Sequence, residues 1–164
     1  MSATLPGFEE FDGIELFQKL PLFHELDYAE TVRLSAICRT ERMPAGSLVV
    51  AEGALGEALY VLRAGRVSVA KGEGDSRLVL GEMGPGELFG EMTLVDDVLT
   101  QATVTAATDV ELFVIPRGDL DALLATDKSL ALKVYRSFCR SLSLKIRQLQ
   151  KRLAPGDGLA VEGA

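Results

Sequence analysis

A mainly β fold of the sandwich or jelly-roll kind, with flanking helices, is what this sequence predicts, and three observations predict it. Over residues 47–115 the chain falls into short runs rich in β-branched residues, with glycines between them. Before and after that region the apolar residues switch to helical spacing. With 164 residues, 48% of them hydrophobic, the chain can fill one core and gives no sign of a second.

Residues 1–13 read as a flexible N-terminal arm, and the domain is expected over residues 14–153. Ile14, Leu16, Phe17 and Leu20, then Leu26, Val32, Leu34 and Ile37, predict two short helices. Pro44, Ala45 and Gly46 break that pattern. The β runs are residues 48–50, 58–62, 66–69, 78–80, 102–105 and 110–115, and Gly53, Gly56, Gly65, Gly72, Gly74, Gly81, Gly84 and Gly86 mark the turns. So many short strands suit a sandwich or roll, because an open sheet would leave edges to manage. No internal repeat is present.

After Pro116, which suits the first turn of a helix, Leu120, Leu123 and Leu124 predict a brief helix ending near Thr126. A longer one follows. Ala131, Tyr135, Phe138, Leu142, Ile146, Leu149 and Leu153 recur at alternating spacings of four and three, a seam for a partner helix. Packing on the chain's own roll is the plainer use of this seam, but seven positions exceed what a small roll can cover. The expectation is therefore a parallel homodimer through the helix from Ala131 to Leu153. Pro155, Gly156 and Gly158 then predict a disordered tail over residues 154–164.

The formal charge is -7 with a pI near 4.8, against a chain that grips phosphate backbones through its overall field. The charge is unevenly placed. Of 17 basic and 24 acidic residues, residues 127–153 hold the bases Lys128, Lys133, Arg136, Arg140, Lys145, Arg147, Lys151 and Arg152 and the single acid Asp127. A solvated helix face, favourable near the negative end of the helix dipole, is the default reading of those bases. No stretch approaches the ~18 apolar residues of a membrane span, and no signal sequence opens the chain, so the expectation is a cytoplasmic protein.

Catalytic and metal chemistry find few residues to work with. Cys38 and Cys139 form no C-x-x-C pair and are expected to be buried apolar fillers. His24 is the only histidine, so neither a histidine-rich metal roll, an axial haem ligand nor a Ser-His pair can be assembled with support. The expectation is a non-enzymatic protein without metal or cofactor.

The informative segment is Gly84-Pro85-Gly86-Glu87-Leu88-Phe89-Gly90-Glu91-Met92-Thr93-Leu94. A β run stops at a Gly-rich turn, and Gly90 then opens one helical turn whose free N–H groups suit an anion. This segment resembles the phosphate-binding cassette of the cyclic-nucleotide-binding domain family, which includes bacterial catabolite activators, protein kinase A regulatory subunits and cyclic-nucleotide-gated channels. Glu52-Gly53, Gly56, Leu59-Tyr60-Val61-Leu62 and Gly65 fall in the family's order and approximate spacing, so the likeness runs from about Leu16 to Leu153.

The resemblance implies a double-stranded β-helix, the jelly roll of the cyclic-nucleotide-binding type, with a long C-terminal helix. It also implies that backbone amides from Gly90 to Leu94 face a cyclic phosphate and that Glu91 accepts from the ribose 2′-hydroxyl. The chain departs from the family at the arginine that grips the phosphate. Thr100 stands there, or Gln101 under a spacing one residue longer; neither is charged, and Gly84 to Leu112 contains no Lys or Arg. Asp96 and Asp97 add negative charge nearby. Candidate ligand-binding residues are Phe89, Gly90, Glu91, Met92, Thr93, Leu94, Thr100, Gln101 and Ala102.

The expected function is a regulatory module that binds a cyclic nucleotide weakly or takes a different ligand. The alternative is a degenerate domain that serves dimerisation or contact with a protein partner. Specific DNA binding is not expected, because no helix-turn-helix fits after the long helix.

Overall fold

The computed structural model describes residues 14, 17, 18, 20 and 23–154; the arm expected over 1–13 and the tail from 155 lie outside the described residues. Ile14, Phe17 and Gln18 are helical. Then follow α1 (Tyr28–Ala36), β1 (Arg39–Met43), β2 (Leu48–Val50), β3 (Ala58–Ala64), β4 (Val67–Lys71), a 3-10 turn (Gly74–Ser76), β5 (Leu78–Met83) and β6 (Leu88–Phe89). The chain continues through α2 (Glu91–Asp96), β7 (Thr103–Ala106), β8 (Val110–Pro116), α3 (Arg117–Thr126) and α4 (Lys128–Arg152).

The strands form two four-stranded antiparallel sheets, β1-β8-β3-β6 and β2-β7-β4-β5, with helices against the first. Period-two alternation in β3 and β8 explains this layering. Leu59, Val61, Phe113 and Ile115 point to the helix side, where they pack with Phe17, Phe23, Leu34, Leu120, Leu130, Val134 and Phe138. Their neighbours Ala58, Leu62, Leu112 and Val114 point into the roll and pack with Val67, Val104 and Phe89. Register agrees, since Leu59 pairs with Ile115 and Val61 with Phe113, while Tyr60 pairs with Val114 and Leu62 with Leu112. With both faces covered, these strands read in sequence as continuous apolar runs.

Two strands were not anticipated. β1 is the polar run Arg-Thr-Glu-Arg-Met on a sheet edge, pairing with β8 alone and largely exposed, so it has no apolar face to announce it. β6 has only two residues. Helix α1 starts at a capping box, in which the Asp27 side chain accepts from Glu30 N–H at 2.8 Å and the Glu30 carboxylate accepts from Asp27 N–H at 2.9 Å. Among the described residues, no helix is long and apolar enough to cross a membrane.

Helix α4 begins where Asp127 caps Leu130 N–H at 3.0 Å and pairs with Arg33 of α1 at 2.8 Å. Its 25 residues span about 37 Å at 1.5 Å per residue. Leu130, Val134, Ser137, Phe138 and Ser141 are buried against the domain. Many of its bases meet acids of the same chain: Lys133 reaches Glu30 at 2.7 Å, and Arg140 and Arg136 reach Glu25 at 2.6 and 3.8 Å. The uneven charge of the sequence thus has a local cause, a basic helix lying on an acidic domain. That use departs from the expected solvated face for Lys133, Arg136 and Arg140, whereas Lys128, Arg147, Lys151 and Arg152 are exposed, as that face requires.

The expected seam is divided. Phe138 lies in the chain's own core and Ala131 packs partly against it, whereas Tyr135, Ile146, Leu149 and Leu153 are exposed. The exposed stripe lies roughly a third of a turn around the helix from the buried face, at ~100° per residue. The cysteines also depart from expectation. Cys139 is exposed on α4, and Cys38 is half-buried, with burial pushing its thiol up to about 12.

Candidate functional site

Chain reversal between β6 and α2 builds the site. Gly90 stands between them at φ 91°, and a Cβ there would come 2.7 Å from the Ala58 carbonyl oxygen, so glycine is required by conformation and by space. On one side Phe89 stacks on Tyr60, with ring centroids 5.0 Å apart, inside the roll. On the other side Glu91 opens α2, and no side chain caps that helix.

Glu91 is 1% exposed, very low for a carboxylate. Its Oε1 accepts from Lys145 Nζ of α4 at 2.6 Å, and its Oε2 is buried with no hydrogen-bond partner among the described residues. Burying an ion pair is costly unless further hydrogen bonds satisfy it. The second oxygen is therefore an acceptor ready for a donor.

The remaining candidates divide by orientation. Thr93 is buried, donates to Gly90 O at 3.0 Å and fills the space beside Gly56. Met92 is exposed, and Leu94 packs towards the helix-side core. Thr100 is buried and works as a stitch: its hydroxyl donates to Ala51 O and accepts from Ala54 N–H at 2.9 Å, while backbone bonds join it to Gly53 and Ala54. Gln101 is exposed and donates to Leu99 O at 2.8 Å; Ala102 is partly buried. Phe89, Gly90, Glu91 and Thr93 are thus brought together, with Thr100 anchoring the neighbouring loop.

Asp97 does not confront the cassette as an unpaired charge, because it bonds Arg117 at the start of α3. Arg63 is bonded to Glu111 at 2.9 Å and lies over the Phe113 ring, on the helix side of its strand. Sequence reasoning missed Lys145. One signal for it was available: Leu130, Val134, Phe138 and Ser141 define a buried helical face, and Lys145 falls on its continuation.

Two antiparallel sheets closed into a roll, interrupted by a short helix that opens on a glycine and a buried glutamate, define a cyclic nucleotide-binding regulatory domain. The chain belongs to this family: residues 40–127 match the family model described as cyclic nucleotide-binding domain. It is similar to the cyclic AMP receptor protein of Thermus thermophilus, 36% identical over 105 residues, which are 63% of this chain and 49% of that protein. It is also similar to the cAMP-dependent protein kinase regulatory subunit of Eremothecium gossypii, 32% identical over 111 residues, 67% of this chain and 23% of that one. The chain thus spans about half or less of these relatives. Among solved structures, a cyclic nucleotide-binding domain from Methylobacillus flagellatus superposes with a TM-score of 0.78 at 24% identity, covering 92% of this chain and 84% of that one.

Proposed function

We propose that this chain is a non-enzymatic regulatory domain, folded as one unit over residues 14–153, whose cassette binds a cyclic nucleotide weakly or takes a different ligand. The observation that carries this reading is Glu91, buried at the start of α2 with one oxygen unpartnered, beside a position 100 where the neutral Thr100 is built into a loop. A ribose hydroxyl is a fitting donor for that oxygen. A missing charge-assisted contact to phosphate, at about 1.5–3 kcal/mol, weakens binding roughly ten- to hundredfold.

A second reading, that the domain serves dimerisation or a protein partner without any ligand, is favoured by the exposed apolar stripe of α4. Tyr135, Ile146, Leu149 and Leu153 are an apolar surface that a second α4 would cover. Specific DNA binding is not part of either reading; of the eight bases over residues 127–153, Lys133, Arg136, Arg140 and Lys145 are engaged by acids of the same chain.

Calorimetric titration with cyclic AMP and cyclic GMP separates the two. Weak, saturable heat with either nucleotide supports the ligand-binding module. Absence of heat at millimolar nucleotide, for the parent chain and for variants with arginine at position 100 or 101, leaves the interaction module.

A further inference from the structure

Lys145 is remote in sequence from the cassette yet meets its central acid. Its ammonium carries three N–H donors, and its interaction with Glu91 Oε1 at 2.6 Å is the only hydrogen bond or ion pair it makes among the described residues. The Lys145 side chain is 29% exposed, against 1% for that of Glu91, so the pair reaches the outside on the lysine side. Beside it, Glu91 Oε2 is buried and unpartnered. One empty acceptor and two charged donors therefore stand together. A group that satisfies both presents a hydroxyl to Oε2 and an anionic oxygen to Nζ.

Three other bases near the roll are directed to acids, and Arg152, at the far end of α4, lies against Gly81 of β5. Arg63 meets Glu111, Arg66 faces Glu82 at 3.9 Å, and Arg117 meets Asp97. We propose that Lys145 is the cation of the ligand site, delivered by α4, and that the ligand is an anionic ribose derivative, a sugar phosphate ester held by Glu91 Oε2 at a hydroxyl and by Lys145 Nζ at a phosphate oxygen. This rests on the ligand-binding reading above and extends it, because the cation that meets the anion then comes from the helix and not from the cassette. The buried residues of α4 end at Ser141. Ligand bound through Lys145 secures the next turn of the helix, and by reciprocity the docked helix raises ligand affinity.

The probes are cyclic AMP and adenosine, which share the ribose 2′-hydroxyl and differ in the phosphate. The parent chain is expected to bind cyclic AMP at least about tenfold more tightly than adenosine, a Lys145→Gln variant to lose roughly ten- to hundredfold for cyclic AMP alone, and Lys145→Arg to retain most of it. Equal affinity for the two probes in the parent chain overturns the proposal, and this comparison stands even if Lys145→Gln fails to fold. Unchanged cyclic AMP affinity in folded Lys145→Gln also overturns it, with the ligand-binding reading intact. So does a parent chain that binds neither probe while Thr100→Arg binds cyclic AMP. Binding by none of the parent, Thr100→Arg and Gln101→Arg removes both the ligand-binding reading and the role of Lys145.

Discussion

Gly56 and Thr93 are fitted against each other so closely that a Cβ on residue 56 would overlap the Thr93 hydroxyl and its Cβ. Thr93 is 3% exposed and cannot swing away. Gly56→Ala is therefore expected to destabilise the domain by about 1–3 kcal/mol, the usual cost of overpacking. Because the overlap includes the Thr93 Cβ, Thr93→Ala should not restore stability. Urea denaturation of the two single variants and the double variant checks this, and full recovery in the double variant would refute the overlap.

At position 100 a single hydroxyl serves as donor to Ala51 O and acceptor from Ala54 N–H. Thr100→Val keeps the shape and removes both bonds, taking a partner from the Ala51 carbonyl and the Ala54 N–H. A loss of about 1–3 kcal/mol is expected. Thr100→Arg should show the same kind of loss while raising cyclic AMP affinity by about tenfold or more through a charge-assisted phosphate contact. Denaturation midpoints and calorimetry on the same samples separate the effects. If Thr100→Arg gains nothing and Gln101→Arg does, the longer spacing is the correct register.

The exposed stripe of α4 predicts a homodimer. Leu142→Asp with Leu149→Asp places charge on that stripe at Leu149 and on the half-buried Leu142 beside it, while leaving Leu130, Val134 and Phe138, which hold the helix to the domain, untouched. Light scattering is expected to give twice the chain mass for the parent and the single-chain mass for the folded double variant. A parent chain that is monomeric at high micromolar concentration refutes the seam.

Acid should loosen the middle of α4. The Arg140 hydrogen bond, assisted by the charges of Arg136 and Arg140 and opposed by burial, holds the Glu25 carboxyl below its ordinary value of 4.5. A depressed carboxylate stabilises the fold above the unfolded value, and the contribution is lost as pH falls through the lowered one. The stability difference between the parent and Arg140→Gln should accordingly be present at neutral pH and shrink progressively below about pH 4.5. Carboxyl NMR of Glu25 should show its titration moving upward in the variant; an unmoved titration would show that Arg140 does not set it.

Much of the fold was legible because β3 and β8 bury both faces, and their apolar runs stand out whichever side a residue takes. β1 was not legible for the opposite reason, since its edge position lets Arg39, Thr40 and Arg42 face water and removes the alternation that marks a strand. The cassette could be read from glycines, because positions such as Gly90 leave a residue type as their trace. Lys145 leaves a weaker trace, its place on the continuation of the α4 face that carries Leu130, Val134 and Phe138. Its meeting with Glu91, 54 residues away, depends on how α4 returns over the roll, which local spacing does not encode. The dipolar charge pattern was visible, but only the pairing with Glu25, Glu30 and Glu91 gives it a use.

The wall formed by β3 and β8 has a consequence for folding itself. A strand with one wet face is locked in register by hydrophobicity, since slipping by one residue would turn its apolar side outward. Here such a slip would exchange one apolar environment for another, sending Leu59 and Val61 into the roll and Tyr60 and Leu62 towards the helices. Greasiness alone cannot proofread that error. The discrimination falls to shape, with Phe17 against Phe113 at 4.9 Å on one side and Tyr60 against Phe89 on the other, and to the register shift between Leu62 and Ala64. Correct pairing of this wall is therefore verified only when the helices and the roll have both closed upon it, which makes the two cores a single cooperative unit.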